Sequence, residues 1–311
     1  MRTFSAWRGR ADTYLVVPLV VLVLLLAGPA KEFITYGYWP AAVAKADMLL
    51  YVVAPLCAIA GAWEGGRFRR GGIRCWAVVR PMWRIVLNSL GPTLVMAAVG
   101  VALAVGVMAP AAASAPGLPD VRLIGVYLLV VTAHILVGYG LGVWLAPALA
   151  LPISLGLSYV WLAYPAAIEP FWVRHLNGFS FESCCNIADV PATRALIGST
   201  LVALGVVAAV LLALSGGRRL LAGAAATFVL AFGAAVTVVW PLGPEANQPR
   251  AGSPRCAGDR PALCLWPEQE AARGRIDAAA RVSRCPAPSP RAEACRTQST
   301  SASRPIRRRR T

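Results

Sequence analysis

The chain alternates between long apolar runs and short polar or basic segments. Seven of these runs are long enough to cross about 30 Å of hydrocarbon as α-helices. They are Tyr14–Ala30, Met48–Trp63, Ile85–Ala109, Leu123–Gly140, Leu141–Pro165, Ala195–Leu214 and Leu220–Trp240. This pattern predicts an all-α polytopic membrane protein whose transmembrane bundle occupies residues 1–240.

No charged residue marks the boundary between the fourth and fifth runs. The glycines of GYGLG, Gly138–Gly142, predict a tight turn at this point. Three prolines then interrupt the fifth run, and a bilayer tolerates them only where neighbouring helices or a cavity satisfy the freed backbone groups. The alternative is a re-entrant segment over 141–165, which leaves six spans and moves everything after it to the other side.

Composition agrees with a membrane protein. The 311 residues are 58% hydrophobic and 14% charged, whereas soluble domains carry roughly a quarter charged residues. The net charge of +16 does not indicate nucleic-acid binding, because half of the arginines lie beyond residue 245. Most of the others lie at span ends, where membrane lipids with anionic headgroups are the natural partners.

The arginines orient the chain, since short basic segments beside a span stay on the cytoplasmic side. Segments 1–13, 64–84 and 215–219 carry eleven arginines, against two lysines and three arginines in 31–47, 110–122 and 166–194. This asymmetry predicts a multi-pass protein of the cell membrane with a cytoplasmic N-terminus and, after seven spans, an extracytoplasmic C-terminus.

The basic loop 64–84 is the principal candidate site. Its second half has the spacing of a short amphipathic helix, with Trp76, Val79 and Trp83 recurring at three and four residues. Such a helix either anchors at the lipid headgroups or docks onto a soluble partner. The candidate partner-contacting residues are Glu64, Arg67, Arg69, Arg70, Arg74, Trp76, Arg80 and Trp83.

Six cysteines fall on one side of the membrane under either span count, which suits disulfides in an oxidising exterior. They are Cys184, Cys185, Cys256, Cys264, Cys285 and Cys295. Because adjacent cysteines rarely bond to each other, Cys184 and Cys185 are predicted to reach cysteines of the tail. Within the tail, Cys256 and Cys264 are the favoured pair.

The tail itself divides into two predicted segments. Residues 241–284 form a small extracytoplasmic segment, in which Pro267, Glu268 and Glu270 begin a helix that runs to about Arg284. Residues 285–311 are rich in Pro, Ser and Arg and are predicted to be disordered.

The motifs of most enzymes are missing from the sequence. Neither lysine lies in a phosphate-binding loop, and HExxH is absent. His134 is the one titratable group inside the fourth run, and we interpret it as a packing residue rather than a proton relay. His175 shares a loop with the Cys184–Cys185 pair, where disulfides are preferred to a metal site. The sequence therefore predicts no catalytic residue, no metal and no cofactor.

The stretch WEGGRFRRGG at the end of the second run resembles the corresponding part of ABC-2-type permeases, in particular divergent actinobacterial permease-like membrane proteins. The outer loop WVRHLNGF…CCN and the tail CAGDRPALCLWPE are similar to extracytoplasmic parts of the same group. In that family an acidic residue leaving the second span opens a cytoplasmic coupling helix that contacts a separate ATPase. Glu64, Arg67, Arg69 and Arg70 match that placement. The seventh span departs from the usual six-span core.

The resemblance implies a permease subunit of an ABC-type exporter, energised by a separate ABC ATPase subunit and working as a homo- or hetero-dimer of membrane subunits. A lipophilic or amphipathic substrate is expected, because the runs contain few polar residues. The spans offer no polar lining for a cavity beyond Asn88, Thr132, Ser154, Ser158 and Tyr159. The alternative is a non-transporting membrane scaffold or sensor that acts through its outer loop and tail.

Overall fold

A computed structural model describes residues 11–32, 34–71, 82–113, 115–181, 183–257, 263–270, 273–274 and 276. The chain divides into two units, Met1–Arg250 and Ala251–Thr311. The division lies beyond the predicted boundary at Trp240, because the strand Asn247–Pro249 pairs with Asp189–Pro191 inside the first unit.

The described part of the first unit is helical apart from one short strand pair. Its helices are α1 (Ala11–Lys31), α2 (Trp39–Lys45), α3 (Asp47–Arg70), α4 (Met82–Met108), α5 (Val121–Trp144), α6 (Pro147–Ala163), α7 (Thr193–Ser215) and α8 (Arg218–Val239). Short 3-10 turns cover Ala109–Ala111, Tyr164–Ala167 and Phe171–Leu176, and the strands are β1 (Asp189–Pro191) and β2 (Asn247–Pro249). Among the described residues, seven segments are long and apolar enough to cross a membrane, the second of them combining α2 and α3. The predicted all-α polytopic fold is therefore confirmed.

Burial separates central helices from peripheral ones. α3 and α5 bury much of their surface, whereas α1, α6 and α8 turn large apolar side chains outward. Val17, Leu157 and Val229 are examples of this exposed apolar surface. Helices that are apolar on all sides suit a lipid environment, because side chains that do not pack on the bundle still meet hydrocarbon.

α3 and α5 cross with their backbones in close contact, and we call this contact the glycine crossing. It is formed by two pairs of glycines spaced four residues apart, Gly61 with Gly65 on α3 and Gly138 with Gly142 on α5. A Cβ atom on any of them would collide with a backbone carbonyl oxygen of the opposite helix. Small residues at this spacing let transmembrane helices approach closely, and these four bring α3 and α5 together at the centre of the bundle.

The tight turn predicted at Gly138–Gly142 is wrong. These residues lie inside α5, because Gly138 and Gly142 are required at the crossing with α3. The helix ends at Trp144, and Pro147 opens α6 at a position where its missing N–H costs nothing. α6 and its 3-10 continuation together cover Pro147–Ala167, which is long enough to cross a membrane.

The bundle has two chemically different ends. At the first, the basic end, α3, α5 and α7 finish and α4, α6 and α8 begin. Its described arginines are Arg67, Arg69, Arg70, Arg84, Arg218 and Arg219. The opposite, loop end holds the longer connections, and Asp47 fastens them to α3 by accepting a hydrogen bond of 2.8 Å from the backbone N–H of Phe181.

The second unit is a small hairpin followed by a helix start. β3 (Arg255–Ala257) and β4 (Leu263–Leu265) pair antiparallel, with Cys256 opposite Cys264. A short helix, α9 (Pro267–Glu270), begins at Pro267 as the sequence predicts. The Nη1 atom of Arg255 lies 3.6 Å from the Oε1 atom of Glu270. The predicted end near Arg284 and the disordered segment 285–311 lie outside the described residues.

Candidate functional site

A cavity of about 260 Å³ lies inside the first unit, and we call it the bundle cavity. α5 contributes one wall and α6 and α7 contribute two others. Ala58 of α3, Leu176 and Asn177 of the loop end, and Phe228 of α8 complete the lining. Its volume is several times the share of about 30 Å³ that one water occupies in the liquid. A cavity of this size and apolar lining suits a small organic molecule rather than ordered water.

The polar centre of the cavity is a histidine–serine pair. The Nδ1 atom of His134 on α5 lies 2.8 Å from the Oγ atom of Ser158 on α6. Both side chains line the cavity and are more than nine-tenths buried. They meet because α5 and α6 are consecutive antiparallel helices joined by only two residues, so facing positions lie side by side.

Three further polar side chains of the lining, Ser154, Ser199 and Asn177, have partners on the protein backbone. The hydroxyl of Ser154 donates to the carbonyl oxygen of Leu151 at 2.9 Å. The hydroxyl of Ser199 donates to the carbonyl oxygen of Ala195, also at 2.9 Å. Asn177 donates to the carbonyl of Leu162 and accepts from the N–H of Phe179. Ser158 is the one hydrogen-bond partner of the His134 ring among the described residues.

The cavity reaches the lipid-facing surface. Leu157 of α6 is 50% exposed and Phe228 of α8 is 37% exposed, although both line the cavity. α6 packs on α3 and α5, while α8 packs on α7. The outer rim therefore lies between two separately supported helices, and an apolar molecule has a route from the side.

The basic end differs from the predicted loop 64–84. α3 does not stop at Trp63 but continues to Arg70, so Glu64 lies within a helix and opens no new one. The helix continues because Glu64, Gly65 and Phe68 still bury one face, with the ring of Phe68 centred 6.0 Å from that of Tyr139.

The polar face of this extension carries the predicted charges. Glu64 is buried, and its carboxylate forms an ion pair with Arg67, one turn away. The Oε1 atom of Glu64 lies 3.1 Å from the Nη1 atom of Arg67. Arg67, Arg69 and Arg70 are exposed, and the guanidinium of Arg70 lies 5.9 Å from the ring centre of Trp63. The predicted Arg74, Trp76 and Arg80 lie outside the described residues. Trp83 is in the first turn of α4, with the guanidinium of Arg84 5.1 Å from its ring.

The loop end holds the second histidine. The Nδ1 atom of His175 lies 3.0 Å from Ser180 Oγ, and its Nε2 atom lies 2.8 Å from the carbonyl oxygen of Gly243. Burial lowers the pKa of His175, and the nearby Arg174 adds to this effect against the opposing hydrogen bond to Gly243. The ring therefore serves as a neutral tie between two loops. In the described part of the chain, no group of three His, Cys, Asp or Glu residues is arranged to hold a metal ion.

The disulfides differ in part from the predicted pairing. Cys256 is bonded to Cys264 across the β3–β4 hairpin. Cys184 is bonded to its neighbour Cys185 and not to a tail cysteine, which corrects the predicted link between the outer loop and the tail. Both of these residues are buried in the core of the first unit, so their sulfurs are withdrawn from other partners. Cys285 and Cys295 lie outside the described residues.

Sequence reasoning recognised Ser154 and Ser158 as polar residues of the bundle but missed Ser199 and Asn177. Ser199 belongs to a set of small and apolar residues on α7, Ser199, Val202, Ala203 and Val206, that all line the cavity. Their spacing is that of one helical face. This spacing is the signal that could have found them, although it does not say what the face contacts.

Comparison with known proteins finds no matching family model, no matching curated protein and no matching solved structure.

Proposed function

We infer that this chain is the membrane subunit of an exporter for a lipophilic or amphipathic substrate, energised by a separate ATPase of the ABC type. In this proposal the substrate occupies the bundle cavity and the ATPase contacts the basic end. The observation that carries the proposal is the glycine crossing, since it connects the basic end of α3 mechanically to the wall of the cavity.

The connection runs along two helices in backbone contact. Ala58 lines the cavity, and its carbonyl oxygen meets Gly138, one turn beyond His134 on α5. Gly65, near the basic end, meets Tyr139 in the same way. Because close-packed backbones transmit displacement with little slack, a push on Arg67, Arg69 and Arg70 moves α3 and α5 together. The cavity wall then shifts relative to α7 and α8.

Two further features support an external energy source. The sequence has no phosphate-binding loop, so a partner must supply ATP hydrolysis. The exposed arginines of α3 offer that partner charge-assisted hydrogen bonds to carboxylates. Assembly as a homo- or hetero-dimer of membrane subunits stays part of the proposal, as the resemblance to ABC-2-type permeases implies.

The test is co-purification of the tagged chain from its native membranes after mild cross-linking. We expect an ATPase with a phosphate-binding loop among the recovered proteins. The triple variant Arg67→Ala, Arg69→Ala, Arg70→Ala should recover much less of this ATPase than the wild type. The double variant Arg218→Ala, Arg219→Ala, at the same end of the bundle, should recover as much as the wild type. Recovery of no ATPase, or equal recovery by both variants, would contradict the proposal.

A second candidate is a membrane sensor or scaffold, and the ordered loop end favours it. The buried His175 connects two loops of this end through its contacts with Ser180 and Gly243, at the end of the bundle opposite Arg67, Arg69 and Arg70. Truncation after Arg250 removes the second unit and keeps β2 in place. Substrate export that survives this truncation supports the exporter, whereas loss of a signalling response in cells that never export supports the sensor.

A further inference from the structure

The polar centre of the bundle cavity has a hydrogen-bonding capacity that the protein does not use. His134 has two ring nitrogens, and its Nδ1 is bonded to Ser158. No residue in the described ranges forms a hydrogen bond with its Nε2 atom. The residue is only 8% exposed, and it lines the cavity.

The hydrogen bond between His134 and Ser158 determines which ring nitrogen of His134 carries the proton. If Nδ1 were protonated and donated to Ser158, the serine hydroxyl hydrogen and the Nε2 lone pair would both lack a partner among the described residues. If Ser158 donates to Nδ1, only the Nε2–H group remains without a partner among the described residues. The second arrangement leaves one group unsatisfied rather than two. It presents a hydrogen-bond donor in an otherwise apolar cavity.

We propose that the bundle cavity binds a neutral lipophilic molecule that carries a hydrogen-bond acceptor, such as a ketone or ester carbonyl, and that this acceptor takes the Nε2–H of His134. This names the substrate class for the proposed exporter and rests on that function. The ligand is neutral because the described cavity lining contains no acidic or basic side chain other than the histidine. It is compact because the cavity measures about 260 Å³, and it enters from lipid past Leu157 and Phe228.

The donor distinguishes this ligand class from plain hydrocarbon. A lipid chain without an acceptor could fill the cavity but would leave the Nε2–H unsatisfied. Other hydroxyls of the lining do not change this selectivity, because Ser154 and Ser199 donate to their own helix backbones. Discrimination between a carbonyl compound and its hydrocarbon analogue therefore depends on His134.

The experiment uses benzophenone, an apolar diaryl ketone that reacts with nearby C–H bonds when irradiated, on the full chain in lipid nanodiscs. We expect saturable labelling that mass spectrometry maps to α5, α6 and α7. Dicyclohexyl ketone should suppress this labelling at a concentration about tenfold lower than dicyclohexylmethane, which has the same body without a carbonyl. This comparison needs no mutation, so misfolding cannot produce it.

Variants then assign the selectivity. His134→Leu should remove the difference between the two competitors, and Gly125→Ala, a control on the same helix that does not line the cavity, should keep it. Labelling that does not saturate, equal competition by the two compounds on the wild type, or full ketone selectivity in His134→Leu each overturns the proposal. No ATPase is present in this assay, so its failure is distinguishable from failure to recover an ATPase by co-purification.

Discussion

At the scale of single residues, Asp47 shows how a buried carboxylate organises a loop. Its Oδ2 atom accepts the backbone N–H of Phe181, which is far along the chain and fully buried. Replacement of Asp47 by Ala leaves that N–H without an acceptor, so we expect a loss of about 1–3 kcal/mol in the free energy of unfolding. Asp47→Asn keeps an oxygen acceptor and should lose less.

Thermal unfolding in detergent measures this effect. Glu169→Ala is the control, since Glu169 is an exposed acid at the same loop end and its removal should leave the melting temperature unchanged. A melting temperature of Asp47→Ala equal to that of the wild type would show that the loop is held by other contacts.

His175 makes the stability of the loop end depend on pH. An unfolded histidine titrates near pH 6.5, and burial lowers the pKa of His175 in the folded protein. As the pH falls through 6.5, the unfolded state therefore binds a proton before the folded state does, and the folded state loses stability. His175→Gln removes this titration, so we expect the wild type to lose melting temperature relative to the variant as the pH falls from 7 to 5.

The comparison with the variant isolates His175, because the other histidine, His134, is present in both proteins. A difference in melting temperature that stays constant from pH 8 to 5 would mean that His175 binds its proton equally in the folded and unfolded states.

The sequence was sufficient to single out His134 but not to predict which residues surround it. The sequence alone marks it as the one histidine of its run. It does not give Ser158 as its partner, because that contact depends on how α5 and α6 are rotated about their own axes. The rotation of α5 is set in turn by Gly138 and Gly142, whose role appears only when α3 lies against them.

At the scale of elements, the glycine crossing is the contact that tolerates least change. A Cβ atom at Gly65 or Gly142 meets opposing backbone, which cannot rotate away as a side chain can. We expect Gly142→Ala to destabilise the protein by about 1–3 kcal/mol through overpacking. Gly125→Ala in the same helix meets nothing within 4 Å, so it should be neutral or slightly stabilising, as alanine is the better helix former.

Melting temperatures of the two variants in the same detergent give the comparison. Similar losses in both would mean that α3 and α5 separate easily, and the mechanical link from the basic end to the cavity would fail with them.

The same crossing explains why element boundaries were harder to predict than element number. Glycine favours turns in soluble proteins, so GYGLG was interpreted as a turn. Inside a membrane bundle glycine also provides close helix contact, and the break falls instead where Pro147 begins α6. In the same way, the second span was predicted to end at Trp63 because charged residues follow it. The helix α3 instead continues to Arg70, because Glu64, Gly65 and Phe68 bury one of its faces.

At the scale of the whole molecule, hydrophobic runs and composition were sufficient for the fold class, because seven long apolar helices leave few alternatives. The bundle cavity could not be predicted in this way. It arises between α6, which packs against α3 and α5, and α8, which packs against α7, while α5 and α7 pack on each other. Pairing of this kind depends on side-chain shape over long sequence separations, which a hydropathy pattern does not contain.

The orientation of the bundle is the last prediction. The basic end carries six of the described arginines, Arg67, Arg69, Arg70, Arg84, Arg218 and Arg219, and positively charged segments resist translocation. We therefore expect this end to face the cytoplasm. In a parent with Cys75, Cys285 and Cys295 replaced by serine, Leu118→Cys at the loop end should react with a membrane-impermeant maleimide in intact cells. Ser215→Cys at the basic end should react only after permeabilisation. The reverse pattern would place the arginines outside and exclude a cytoplasmic ATPase as their partner.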